Sequence, residues 1–224
     1  MRFRAASDQA LLVYLGDDIS LATHQRVVGL LRLMQRERPR WLRNLQPAYS
    51  SLLMDFDPLQ IDHDEVQNAV QDYARRVEHF QPPPARVVEI PVCYGNDFGP
   101  DLDEVASLCK LAPQAVAEVH SSISYHAYFL GFAPGFAYLG DLPDSLASPR
   151  LASPRKYVPA GSVAIAGKQT AVYPFATPGG WRLIGRTPSK LFRTDHEPMG
   201  LVEIGDEVRF RAITPDEFAA LESK

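Results

Sequence analysis

Most residues in this chain with the type and spacing to do chemistry fall in two stretches. Thr177 to Pro188, TPGGWRLIGRTP, sets Pro178, Gly179 and Gly180 beside the flat ring of Trp181, with Arg182 and Arg186 following. Four residues apart on an extended strand, the two arginines are expected on one face. There, guanidinium groups grip a carboxylate or phosphate bidentately. Ordinary surface or interface salt bridges are the competing reading. Phe129 to Leu139, FLGFAPGFAYL, holds Phe129, Phe132, Phe136 and Tyr138 together with Gly131, Gly135 and Pro134. Burying one ring is worth roughly 1.5–3 kcal/mol, so a solvated loop does not usually carry so many. Pro134 cannot donate to a strand ladder. A strand entering a buried or half-buried loop of fixed geometry is predicted, and the two stretches are expected to face each other across one site.

The histidines add one candidate. His120 closes a predicted helix just before the aromatic strand. A helix C-terminus favours imidazolium and could poise it for proton transfer; a capping or packing histidine is the alternative. His126 is either a pocket residue or an exposed strand residue. His24, His63 and His79 are expected on solvated helix faces or ends. No HExxH or other tight ligand spacing occurs, so no metal site is expected. There is no G-x-S-x-G elbow. Gly161 to Thr170, GSVAIAGKQT, has five residues between its glycines and Gln169 after Lys168. A phosphate-binding loop needs four, with Ser or Thr after the lysine, so a β-hairpin turning at Gly167-Lys168 is the better reading. Cys93 and Cys109 form no CxxC pair and read as two partly buried thiols in a reducing compartment.

The elements that must position these residues divide in two. Of 224 residues, 46% are hydrophobic and 22% charged, which is ordinary for a globular protein. A net charge of −4 argues against nucleic acid as a partner. The apolar run Ala10 to Leu15 is too short for a membrane span or signal segment, so no membrane association and a cytoplasmic location are expected. Arg2 to Ala6 and Leu11 to Leu15 read as strands, and Ser20 caps a helix over Leu21 to Arg36. Leu42 to Tyr49 and Leu52 to Phe56 read as further strands, and Asp62 with Glu65 opens a second helix ending near His79. The result is an α+β domain over 1–80, in the order strand, strand, helix, twice. Gln81-Pro82-Pro83-Pro84 marks a stiff linker over 81–86. Over 87–224 come a strand (Val87 to Tyr94), helices at Asp101 to Cys109 and Pro113 to Ser121, and short strands punctuated by Gly and Pro. Those strands are ISYHAYFLGF, SVAIAG, QTAVYP, WRLIG, KLF, LVEI and EVRFRAI, and Thr214 caps a terminal helix. Such a pattern predicts a barrel or sandwich.

Two long segments, YHAYFLGFAPGFAYLGDLP from Tyr125 and SPRKYVPAGSVAIAGKQTAVYPFATPGGWRLIGRTPSKLF from Ser153, resemble the B-subunit family of bacterial 5-oxoprolinase. That family was formerly labelled allophanate hydrolase subunit 1 and includes the sporulation-kinase inhibitor KipI. The resemblance runs from Arg86 to Ile213, with Ala164 where the family commonly has glycine. It implies a small α+β domain followed by a cyclophilin-like β-barrel. It also implies a polypeptide that is not self-sufficient, acting with a carboxylase-related partner subunit and a second partner of the lactam-utilisation type. Together these open a small-molecule lactam, 5-oxoproline, to glutamate while consuming ATP; on which chain the ATP site lies is left open.

If so, charge developing on the lactam oxygen must meet fixed donors. By residue chemistry, Arg186, Gln169, Thr177 and the amides of Gly179 and Gly180 are candidates, with His120 as acid or base. Phe132, Pro134, Phe136, Trp181 and Arg182 are candidates for contact with substrate or partner. The alternative is a binding protein that inhibits a sensor histidine kinase. A cyclophilin-type prolyl isomerase follows from fold analogy alone.

Overall fold

The structure is a computed structural model that describes residues 1–77 and 84–223. It comprises two compact units, Met1–Pro84 and Ala85–Lys224. Residues 81–83 of the expected linker and the expected end of the second helix, His79 included, lie outside the described residues.

The first unit runs β1 (Arg2–Ser7), β2 (Ala10–Tyr14), α1 (Leu21–Glu37), β3 (Leu42–Pro47), β4 (Ser51–Phe56) and α2 (His63–Val77). The strands form an antiparallel sheet in the order β1-β2-β4-β3. Period-two alternation buries Leu11 and Val13 directly opposite Met54 and Leu52. The stripe Val27, Leu30, Leu31 and Met34 of α1 is buried, as are Val66 and Val70 of α2. Both helix starts follow the local signals. The Ser20 hydroxyl accepts from the Thr23 N–H, and Asp62 and Glu65 exchange backbone bonds as a capping box. Gly29 lets α1 approach α2, because a Cβ there would stand 2.7 Å from Val77 Cγ1. His24 is a correction: it is fully buried, because residues 24, 27, 31 and 34 fall on the same helical stripe.

The second unit begins with β5 (Val87–Tyr94), α3 (Leu102–Cys109), α4 (Pro113–Ser121), β6 (Ser124–Leu130) and β7 (Ala137–Gly140). It continues through β8 (Arg155–Val158), β9 (Ser162–Ala166), β10 (Gln169–Val172), β11 (Thr177–Gly179), β12 (Arg182–Arg186), β13 (Glu207–Ala212) and α5 (Pro215–Glu222). Seven strands close a barrel in the order β10-β7-β6-β13-β5-β12-β9, which leaves no unpaired edge within it. The expected α+β architecture with a barrel is therefore present. β8 and β11 form a separate two-stranded ribbon. Thr214 caps α5 with a full capping box to Glu217.

Strand β9 shows how the barrel carries two cores. All five of its residues are buried. Val163 and Ile165 belong to the cluster with Ile90, Tyr125, Leu139 and Phe210. Ala164 and Ala166 belong to a second cluster with Phe136, Tyr173, Trp181 and Leu183. A strand buried on both faces reads as a continuous apolar run, which SVAIA is. The GSVAIAGKQT segment is the expected hairpin: Ala166 pairs with Gln169 across Gly167, whose φ is +56°.

Two expected strands do not form. KLF supplies only an isolated bridge, Phe192 to Gly200. LVEI is a bend in which Asp206 Oδ2 accepts from the Glu203 N–H at 2.7 Å and from Arg86 Nη2 at 2.6 Å. Its Val202 and Ile204 are buried all the same. Apolar residues serve packing there without joining a ladder.

Candidate functional site

The outer cluster is built by the two stretches that stand out in the sequence. β6 ends at Leu130 and β7 starts at Ala137, so FLGFAPGFAYL is the connection of a hairpin. Its loop conformation is held by Phe132 at φ +67° and Gly135 at φ +80°. A Cβ on Gly135 would stand 2.9 Å from the Leu191 carbonyl oxygen, so only glycine fits. Phe136 is thereby turned into the cluster, edge-on to Trp181 at 5.8 Å and to Tyr173 at 5.3 Å between ring centroids. Tyr138 meets Trp181 at 5.9 Å and stacks on Phe129 at 4.4 Å. Edge-to-face contacts of this kind add about 0.5–1.5 kcal/mol each beyond burial. Phe132 rests against Phe136 and Tyr173 yet stays 61% exposed. Pro134 is exposed at the tip of the loop.

The TPGGW turn closes the other side. Gly179 lies under Tyr173, where a Cβ would come within 2.4 Å of the hydroxyl. The Gly180 carbonyl accepts from the Leu151 N–H at 2.8 Å. Thr177 pairs with Val158, and its Oγ1 is buried without a hydrogen-bond partner among the described residues. Phe132, Phe136, Gly179 and Trp181 are thus brought together, with Thr177 and Gly180 on the same turn.

Other candidates go elsewhere. The pairing of β12 with β9 shifts register between Leu183 and Gly185, so the even spacing of Arg182 and Arg186 does not give them a common set of partners. Arg182 is buried; its Nε donates to the Pro149 carbonyl and its Nη1 pairs with Glu104 at 2.7 Å. Arg186, roughly 13 Å further along the strand, donates from Nε to the Ala160 carbonyl and lies over the ring of Phe218. They do not form one anion grip. Gln169 is the half-buried first residue of β10, next to the hairpin turn.

His120 lies on the other core. It is fully buried and stacked on Phe210 at 4.6 Å. The Thr170 hydroxyl donates to the Ala164 carbonyl at 3.0 Å, so it accepts from His120 Nε2–H at 2.9 Å. Tyr94 then donates its O–H to Nδ1 at 2.7 Å. Burial pushes the imidazole pKa down to about 3, opposite to the shift expected of a helix C-terminus. The ring is neutral, with both nitrogens engaged. This corrects the expectation of a poised imidazolium; the packing alternative describes the observed residue. Burial likewise pushes the Tyr94 and Tyr125 phenols up.

Motif reading passed over two arginines in the doubled Ser-Pro-Arg of residues 148–150 and 153–155. Arg155 Nη2 meets Asp101 Oδ1 at 2.5 Å, and Asp101 Oδ2 accepts from the Leu183 N–H at 2.6 Å. Asp101 thus ties β8, β12 and the start of α3 beneath the aromatic face. The exposed Arg150 lies 5.8 Å from the centre of the Trp181 ring. The repeated tripeptide is a signal that was available in the sequence.

A separate cleft of about 450 Å³ is lined by Arg86, Lys190, Arg193, His196 and Leu221 among others, and takes in none of the candidates. Glu89 and Glu222 share its walls, so it offers no consistent charge to a ligand. Among the described residues no group of three or more His, Cys, Asp or Glu could hold a metal ion, and no helix is long and apolar enough to cross a membrane. Gly161 to Thr170 does not fit nucleotide phosphates. It is a hairpin, and its Lys168 pairs with Asp144 at 2.6 Å.

The family described as "Carboxyltransferase domain, subdomain C and D" matches residues 1–202. The B subunit of 5-oxoprolinase from Bacillus subtilis is 38% identical over 223 residues, covering 95% of this chain and 93% of the relative. That of Escherichia coli is 42% identical over 205 residues, covering 91% and 92%. Among solved structures, TTHA0988 superposes with a TM-score of 0.81 at 35% identity over 93% of this chain, which spans 40% of that longer chain. The Kluyveromyces lactis urea amidolyase shares the fold at a TM-score of 0.74 and 18% identity, over 97% of this chain and 15% of its own. The chain belongs to the B-subunit family of 5-oxoprolinase, within the carboxyltransferase-domain family of subdomains C and D.

Proposed function

We propose that the chain is one component of an ATP-dependent 5-oxoprolinase, converting 5-oxo-L-proline, ATP and water to L-glutamate, ADP and phosphate. The observation that carries this reading is identity of 38–42% over more than nine-tenths of this chain and of three relatives named as the B subunit of 5-oxoprolinase. The chemistry agrees with a share of the work rather than the whole. A lactam carbonyl is a poor electrophile, and its opening calls for a nucleophile and a base. The outer face offers neither: it is aromatic, with backbone amides and arginine at its rim. His120, the base candidate, is neutral and sealed among Tyr94, Thr170 and Phe210. ATP use is assigned to the complex, and on which chain its site lies is left open. The partners in this reading are a carboxylase-related subunit and one of the lactam-utilisation type.

In this role the aromatic face holds and orients a flat ring and excludes water from one side of it. Thr177 and the turn amides of Gly179 and Gly180 are the candidate donors to a developing oxyanion in this reading. The test is reconstitution. The two partner subunits, ATP and 5-oxoproline are combined with and without this chain, and glutamate is measured. Glutamate formation that depends on the chain is expected; equal glutamate in both mixtures overturns the reading.

A further inference from the structure

Arg150 stands apart from the other cations around the aromatic face. Asp101 is already matched with Arg155 and Glu104 with Arg182. Arg150 has no carboxylate partner among the described residues and lies over the indole of Trp181. A guanidinium stacked on an aromatic ring keeps its in-plane N–H donors free for a bidentate acceptor. The half-buried ring of Tyr138 meets the same indole at 5.9 Å and offers a surface on which a small flat ring can lie.

We propose that Arg150 and Trp181 form the carboxylate subsite of the outer face, which takes a small ring compound bearing one carboxylate next to the ring. This rests on the 5-oxoprolinase reading for the identity of the ring compound, since 5-oxoproline is a five-membered lactam with a single carboxylate. Arg150, held over the buried indole of Trp181, grips the carboxylate, and the half-buried ring of Tyr138 carries the lactam. Specificity for the acid over the plain lactam then originates in one exposed side chain that no catalytic step uses.

The test reads binding and turnover separately. In a Trp41→Phe background, Trp181 is the sole tryptophan reporter. Its fluorescence is titrated with L-5-oxoproline and with 2-pyrrolidinone, the same ring without the carboxylate, for the chain alone, and binding of both compounds to the three-subunit mixture without ATP is measured by titration calorimetry. Tighter binding of 5-oxoproline is expected, with a loss of about 10-fold or more in Arg150→Ala, no change for 2-pyrrolidinone, and partial recovery in Arg150→Lys. Arg150 is exposed, so the urea midpoint of Arg150→Ala is expected to stay that of the parent. Equal affinity for both compounds, an unchanged affinity in Arg150→Ala, or no binding in either setting overturns the subsite. The two readings fail differently. A productive complex whose KM for 5-oxoproline is unmoved by Arg150→Ala overturns the subsite and leaves the enzyme reading standing. A complex that makes no glutamate, while carboxylate-dependent binding persists and needs Arg150, overturns the enzyme reading and supports the subsite.

Discussion

The barrel of the second unit has an aromatic cluster on each side of β9, and each has a basic side chain set against one of its rings. Inside, Tyr125 and Phe210 surround His120, whose two nitrogens are both hydrogen-bonded. Outside, Phe136, Tyr173 and Trp181 support Arg150, whose charge has no carboxylate to meet among the described residues. The inner group is satisfied and dry, so its burial costs little and it contributes to the uniqueness of the packing. The outer group is unsatisfied and wet, so it remains available to a ligand. Residue type therefore misleads here: the histidine, the usual acid-base candidate, is structural, while the arginine without a motif is the one free to bind.

The largest expected difference between the two sides is in stability. Tyr125→Ala removes a fully buried ring and the hydrogen bond from its hydroxyl to the His120 carbonyl. A loss of about 3–5 kcal/mol is expected in urea unfolding. A loss below about 1 kcal/mol would mean that the inner cluster is not what holds the barrel together. The next effect is on pH. His120 has a folded pKa of about 3 against an ordinary value of 6.5, so below pH 6.5 the unfolded chain binds a proton that the fold refuses. Stability from this group is complete above pH 6.5 and falls as the pH drops toward 3, by roughly 1 kcal/mol per pH unit. Urea midpoints at pH 7 and pH 5 read the slope, and the His120 ring resonances should not titrate between pH 8 and 5. A titration in that range would erase the contrast with the outer face. The smallest effect is that of Phe132→Ala. With the ring 61% exposed, stability is expected to change by no more than about 0.5 kcal/mol, while binding on the outer face weakens. A larger loss of stability would make Phe132 part of the core rather than of a surface for ligands.

The first unit was legible because its signals are local. Caps at Ser20 and Asp62 and apolar periods of two and 3.6 decide its elements without help from distant chain. The barrel strands were legible where alternation or a continuous apolar run coincided with pairing, as in β9. LVEI failed because its apolar residues are buried by a bend anchored on Asp206 and Arg86, a contact between residues far apart in the chain. The meeting of the two aromatic stretches was readable from ring count and from proline and glycine placement. The arginine pair was misread because one register shift in β12 separates their partners. The charge of His120 was misread because desolvation outweighs a helix end. Arg150 was not visible as a candidate, since its significance lies in which carboxylates are already taken, and that is a property of the folded molecule.

One pairing also bears on how the chain comes to be folded. β5 and β13 lie parallel along their lengths, Val87 against Glu207, and beside them Arg86 meets Asp206, 120 residues away in sequence. During synthesis, β5 emerges long before its neighbour, and the barrel stays open until β13 arrives. A chain stopped before β13 would expose one edge of β5 and one of β6, both rich in aromatic and branched residues, as templates for pairing with other chains. Closure of this ring is thus a late, long-range event and sets the slow step expected for the second unit, whereas the first unit, with its neighbouring hairpins and helices, can form while the barrel is still being made.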